Sequence, residues 1–207
     1  MKKTTEKTQK LVITGVLIAI IVVMSFTPLG YLKVGVLSIT LLMIPVIVGA
    51  VNLGPVYGAL LGLVFGATSF IQCYTGDLFG ALLVSKSIPR SIFVIFVSRI
   101  LAGFFCGLIF KALKKHDKKE TWSYLVASIC GSLFNTVFFL SSLALLFKNV
   151  EFTQEELANL PADTIIKTAI VIALSVNAIV EVIACGIVGT AITKALAVVN
   201  RKNSNKG

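Results

Sequence analysis

Between Lys10 and Asp77 the chain carries a single charge, Lys33, so that 11–32 and 34–76 are uncharged runs of 22 and 43 residues. A helix needs about 20 apolar residues to cross the hydrocarbon core of a bilayer. The first run therefore predicts one crossing and the second two, divided at Asn52-Leu53-Gly54-Pro55, where Gly and Pro together break a helix. Three more apolar stretches follow: 91–110, which carries only Arg99; 122–147, which carries no charge; and 168–193, which carries only Glu181. The sequence thus predicts an all-α integral membrane protein built as a six-transmembrane-helix bundle. Its expected parts are a basic N-terminus (1–10), a single membrane domain (11–197) and a basic tail (198–207). Composition excludes a soluble alternative. Hydrophobic residues make up 57% of the chain and charged ones 14%, against about 45–50% and 25% in a soluble domain, and the mean hydropathy is +0.96.

Lys and Arg counts set the expected orientation, because cytoplasmic loops retain positive charge. With the N-terminus inside, the cytoplasmic segments hold Lys2, Lys3, Lys7, Lys10, Lys111, Lys114, Lys115, Lys118, Lys119, Lys194, Arg201, Lys202 and Lys206, thirteen of the nineteen basic residues. The outer loops hold most of the acids: Asp77, Glu151, Glu155, Glu156 and Asp163. Both ends are therefore expected in the cytoplasm (N-in/C-in). The net charge of +10 reads as topology plus attraction to anionic membrane lipid, not as a nucleic-acid footprint. The basic start and apolar stretch imitate a signal peptide, but no small-residue cleavage pattern follows, and the stretch is read as the first span.

Cys73, Cys106, Cys130 and Cys185 lie far apart without paired ligand spacing, and His116 is the only histidine. No metal site and no Ser-His-Asp triad is expected, and no cofactor. No G-x-x-x-x-G-K-[ST] loop occurs, so any ATP-driven work needs another chain. Glu181 is the only intramembrane carboxylate, which excludes two-carboxylate chemistry at depth and leaves no case for an enzyme.

Small residues recur at four-residue spacing: Gly58, Gly62 and Gly66 in the third span, Gly103 and Gly107 in the fourth, Gly15 and Ala19 in the first. Each set lets a neighbouring helix approach closely, either within the bundle or, for the terminal first span, from a partner subunit. Ionisable and amide groups in the membrane are costly and face the interior. Arg99 lies 12 residues before Lys111, Glu181 13 before Lys194 and Asn135 14 after Thr121, which is about 18–21 Å from each basic end. Thr68 is level with them, and Gln72 and Asn177 lie one turn outward of Thr68 and Glu181. Two readings stay open: an interior Arg99–Glu181 ion pair that fixes helix packing, or a polar layer lining a solute cavity open to the outside.

The order Ile44-Pro45, Leu53-Gly54-Pro55-x-x-Gly58-Ala59-x-x-Gly62-x-x-x-Gly66, Arg99-x-x-x-Gly103-x-x-x-Gly107, Asn135-Thr136 and Asn177-x-x-x-Glu181 resembles the substrate-binding S components of energy-coupling factor (ECF) vitamin transporters, most closely the pantothenate type. The resemblance covers nearly the whole chain. It implies a six-helix bundle in the bacterial plasma membrane that binds one water-soluble vitamin under its outer loops. It also implies partners: a transmembrane coupling protein and two ATPase subunits. Members present an Ala-x-x-x-Ala face on the first helix to the coupling protein, and the matching positions here are Gly15 and Ala19. Members often have Pro before the fourth-span Arg, where this chain has Ser98.

Residue types bear on the ligand. A flavin- or folate-like ring favours a stacking platform, yet the only Trp, Trp122, falls at the basic end. Tyr31 and Tyr74 remain near the outer loops. Lys86, Arg90 and Arg99 lie along the route from outside and suit a small carboxylate such as pantothenate, although Lys86 and Arg90 also read as interfacial residues with snorkelling side chains. The expected substrate-binding set is Gln72, Tyr74, Lys86, Arg99, Asn135, Asn177 and Glu181, with Gly15 and Ala19 for partner docking. The alternatives are another vitamin, such as riboflavin or a pyridoxine-type compound, or a stand-alone secondary carrier.

Overall fold

The fold is taken from a computed structural model that describes residues 2–28, 30–34, 37–115, 117, 121–147 and 178–204. In chain order the elements are α1 (Lys2–Ser25), β1 (Tyr31–Val34), β2 (Leu37–Thr40), α2 (Met43–Leu53), α3 (Pro55–Thr75), α4 (Leu78–Lys86), α5 (Ile88–Leu113) and α6 (Thr121–Phe147). The last described helix, α7, covers 178–204 and contains a π-turn at Cys185–Gly189 before its closing segment Thr190–Ser204.

Among the described residues five helices are long and apolar enough to cross a bilayer: Lys7–Ser25, Pro55–Thr75, Ile88–Leu113, Trp122–Phe147 and Ala178–Val198. The structure departs from the expected second crossing. Of that region's described residues only the 11 from Met43–Leu53 are helical. At ~1.5 Å per residue this is about 16 Å, roughly half a bilayer core. The preceding residues form an antiparallel hairpin instead, with Tyr31 opposite Thr40 and Val34 opposite Leu37. One short hairpin thus accompanies an otherwise helical fold. Its physical reason is the local pattern Leu37-Ser38-Ile39-Thr40, which alternates apolar with polar and is rich in β-branched residues. The expected sixth span begins at 168, and its first ten residues lie outside the described residues.

α2 forms the centre of the bundle. Nine of its residues, Met43 to Val51, are buried, and the Gly54-Pro55 break then reverses the chain into α3, with Gly54 at φ +112°. Only glycine adopts that backbone without strain. α3 and α5 cross in backbone contact: a Cβ at Gly58 would strike the Gly103 carbonyl, one at Gly62 the Arg99 carbonyl, and one at Gly107 the Pro55 backbone 2.6 Å away. In lipid, where apolar side chains gain nothing by leaving solvent, such close van der Waals contact is what holds helices together.

Contacts between elements fix the helix directions. Gln72 binds the Ser25 carbonyl, so α1 and α3 run parallel and end together. Asp117 accepts from the backbone N–H and hydroxyl of Ser123 at 2.9 and 3.1 Å, and Phe110 stacks on Tyr124, which closes the α5–α6 turn at the other end. Asn52 reaches the Thr193 carbonyl at 3.5 Å, bringing the α2–α3 turn and the C-terminal part of α7 to that same end. The start of α1 and the end of α7 therefore share one basic end of the bundle, with Lys111, Lys114 and Lys115 beside them. Ser25, Gln72 and α4 lie at the far end.

Candidate functional site

The α3–α5 seam decides where Arg99 stands. Because Gly62 brings the α3 backbone onto the Arg99 carbonyl, the side chain starts from the seam itself. Its Nε donates to Ser69 Oγ of α3 at 3.2 Å, and its Nη1 donates to the Ile95 carbonyl at 3.1 Å and to Ser98 Oγ at 3.2 Å. The guanidinium lies 4.9 Å from the ring centre of Phe65 and 5.6 Å from that of Phe139. Both are within cation–π range, which is strongest where water is excluded.

α6 and α7 supply the second half. Glu181 is buried, and its Oε1 accepts from Ser132 Oγ at 3.2 Å and from Asn135 Nδ2 at 3.3 Å. Ser132 and Asn135 are three residues apart and so share one face of α6. Asn135 is itself buried, and its Oδ1 has no hydrogen-bond partner among the described residues. Phe139, one turn beyond Asn135 on α6, lies against the Arg99 guanidinium, so the two halves adjoin. Each charge is also braced by neutral groups on neighbouring helices, as buried charges require.

The structure therefore gathers Arg99, Asn135 and Glu181 in one interior region. The other expected residues are placed differently. Gln72 donates to the Ser25 carbonyl and accepts from Thr75 Oγ1 at 3.4 Å, so its amide ties α3 to the end of α1. Thr68 donates back to the Phe65 carbonyl at 3.0 Å. Tyr74 is exposed and packs edge-to-face with Phe70. Lys86 is the last residue of α4, partly buried. Asn177 lies outside the described residues. Gly15 and Ala19 face outward on α1, and nothing lies within 4 Å of a Cβ built at Gly15. Five neighbours were missed in the sequence: Phe65, Ser69, Ser98, Ser132 and Phe139. The spacing Ser132-x-x-Asn135 was a usable signal. The two phenylalanines gave none, since in an apolar span they read as ordinary lipid-phase residues.

Chemically, the region offers a fixed cation, a carboxylate and an unfilled amide acceptor inside a bundle, which suits holding a small polar solute. Among the described residues no three His, Cys, Asp or Glu side chains stand close enough to share a metal ion. A separate cavity of about 310 Å³ opens between α1, α2 and α7, lined by Leu17, Met24, Ile44, Val48, Val188 and other apolar side chains. It offers such a solute no hydrogen bond.

Residues 9–194 match the family model described as "ECF transporter, substrate-specific component". The chain belongs to that family. It is also 31% identical over 158 residues to the pantothenic acid transporter PanT of Lactococcus lactis subsp. cremoris (strain MG1363), an alignment covering 71% of this chain and 77% of the relative. As an ECF substrate-specific component the protein is a substrate-binding transport subunit. The matched region runs from within α1 through α6 and contains every described residue of the polar region, Glu181 included.

Proposed function

We propose that this substrate-specific component captures pantothenate from outside a bacterial cell and delivers it through an ATP-driven complex whose coupling protein and two ATPase subunits are separate chains. The observation that carries the reading is Arg99, a guanidinium held at membrane depth by Ser69, Ser98 and the Ile95 carbonyl and flanked by Phe65 and Phe139. A cation kept there at such cost suits an anionic solute. Asn135 Oδ1 then meets a hydroxyl or amide donor of the same molecule. The relative's name supports pantothenate, which carries one carboxylate together with such donors. The far end of the bundle, with the hairpin and α4, faces outside, and the basic end faces the cytoplasm, as the lysine distribution favours. The outward Gly15–Ala19 face of α1 meets the coupling protein.

Titration calorimetry on the purified chain tests this directly. Pantothenate should bind one to one, and Arg99→Met should weaken it at least a hundredfold, since a charge-assisted contact to a carboxylate is worth about 1.5–3 kcal/mol and its loss also strands the ligand's charge. Binding of riboflavin or a pyridoxine-type vitamin in place of pantothenate would reassign the substrate. Concentrative uptake by vesicles holding this chain alone would instead favour a stand-alone carrier.

A further inference from the structure

The π-turn of α7 sits one helical turn inward of Glu181. Such a turn holds one residue more than an α-turn and occurs frequently at functional sites. Two of its five residues are glycines, and they differ from the glycines of the α3–α5 seam. There an added Cβ would collide with backbone; at Gly186 the nearest atom is Ile129 Cγ1 at 3.4 Å, and at Gly189 it is Ser128 Oγ at 3.4 Å. These are ordinary contact distances, so close approach does not explain Gly186 and Gly189. What they do is weaken the α-helix relative to alanine.

Two buried hydroxyls beside the turn are unsatisfied as well. Ser128 Oγ, facing Gly189, and Thr190 Oγ1, immediately after the turn, have no partner among the described residues. Thr193 shows what a helical threonine does in regular geometry, donating to the Gly189 carbonyl four residues back at 2.5 Å. Thr190 would reach the Gly186 carbonyl in the same way if the π-turn became an α-turn. The observed register is therefore locally unfavourable, and the bonds of Glu181 to Ser132 and Asn135 hold it. There is also room to move. Val188, inside the turn, lines the apolar cavity shared with α1 and α2.

We infer that α7 is a two-register helix whose π-turn is the release switch of the binding site. Conversion to an α-turn rotates the outer part of α7 by one residue's angle, about 100°, relative to the part beyond the turn. Glu181 then leaves Ser132 and Asn135, and the polar region that holds the ligand comes apart. Contact on α1, which shares the cavity with Val188, biases the choice of register. The inference rests on the binding function proposed above and adds how the bound solute is let go.

Two variants test it, with pantothenate as probe. Deleting Val188 removes the extra residue and leaves a continuous α-helix whose two parts keep their present positions. Binding should stay within about threefold of the unaltered chain, while ATP-dependent uptake by the assembled complex should fall at least tenfold. The double substitution Gly186→Ala, Gly189→Ala keeps the residue count and favours the α-register; it should fold normally and weaken binding about tenfold or more. If the unaltered chain binds no vitamin, the functional reading fails, whatever the variants do. If it binds and transports while both variants match it in both assays, the switch is refuted. Should the deletion variant not fold, the alanine pair decides alone.

Discussion

Gly62→Ala puts the close contact of α3 and α5 to a sharp test. The added methyl would meet the Arg99 carbonyl oxygen, with the Arg99 carbonyl carbon at 2.8 Å and Ile100 Cα at 3.1 Å. These are backbone atoms of a helix, so no side-chain rotation relieves the clash. Restoring an ordinary contact of roughly 3.5–4.0 Å moves the helices apart by about 1 Å. The Arg99–Ser69 bond, now 3.2 Å, then passes the limit of a hydrogen bond. Overpacking costs about 1–3 kcal/mol and loss of a hydrogen bond to a charged group about 1.5–3 kcal/mol. Allowing for relaxation, a total of about 2–4 kcal/mol is expected, or a melting temperature lower by about 4–16 °C in a detergent-solubilised thermal scan. The control is the same substitution at Gly15, where no atom lies within 4 Å; there the greater helix preference of alanine should leave stability unchanged or raised by up to about 1 kcal/mol. If Gly62→Ala melts with Gly15→Ala, α3 and α5 are not in backbone contact and the placement of Arg99 goes with it.

Arg99→Met and Glu181→Gln should each lower thermal stability, and the double variant should recover part of the loss with a coupling of about 0.5–3 kcal/mol; strictly additive losses would mean that the two charges do not sense one another. Gly15→Leu and Ala19→Leu should abolish co-purification with the coupling protein and uptake while leaving pantothenate affinity within about twofold, because both positions face outward; normal co-purification of both variants would remove docking from this face.

Much of the bundle is legible in the sequence because a bilayer makes hydropathy almost decisive: the apolar stretches around Leu17, Phe65, Ile95 and Ala127 are helices where charge spacing puts them. The hairpin is not legible that way, since Leu32, Val34, Leu37 and Ile39 raise hydropathy as much in a strand as in a helix. Only their alternation with Ser38 and Thr40 carries the distinction, and a count of charges ignores it. Depth along a span brought Arg99, Asn135 and Glu181 to one level, because rise per residue is fixed in a helix. Partners within the level are a different matter. That Glu181 takes Ser132 and Asn135, and that Gln72 turns to the Ser25 carbonyl, depends on helix rotation and crossing, which one sequence specifies only through packing. The π-turn escaped for the same reason, as Gly186 and Gly189 look like any other small residues of a membrane helix.

The most direct measurement is a paired one on reconstituted vesicles: equilibrium binding of radiolabelled pantothenate to this chain alone, and its accumulation with and without the coupling protein, the ATPases and ATP. One molecule bound per chain, with accumulation only in the complete ATP-fuelled complex, is the expected result. No saturable pantothenate binding, or accumulation by the chain alone at the rate of the full complex, would contradict it.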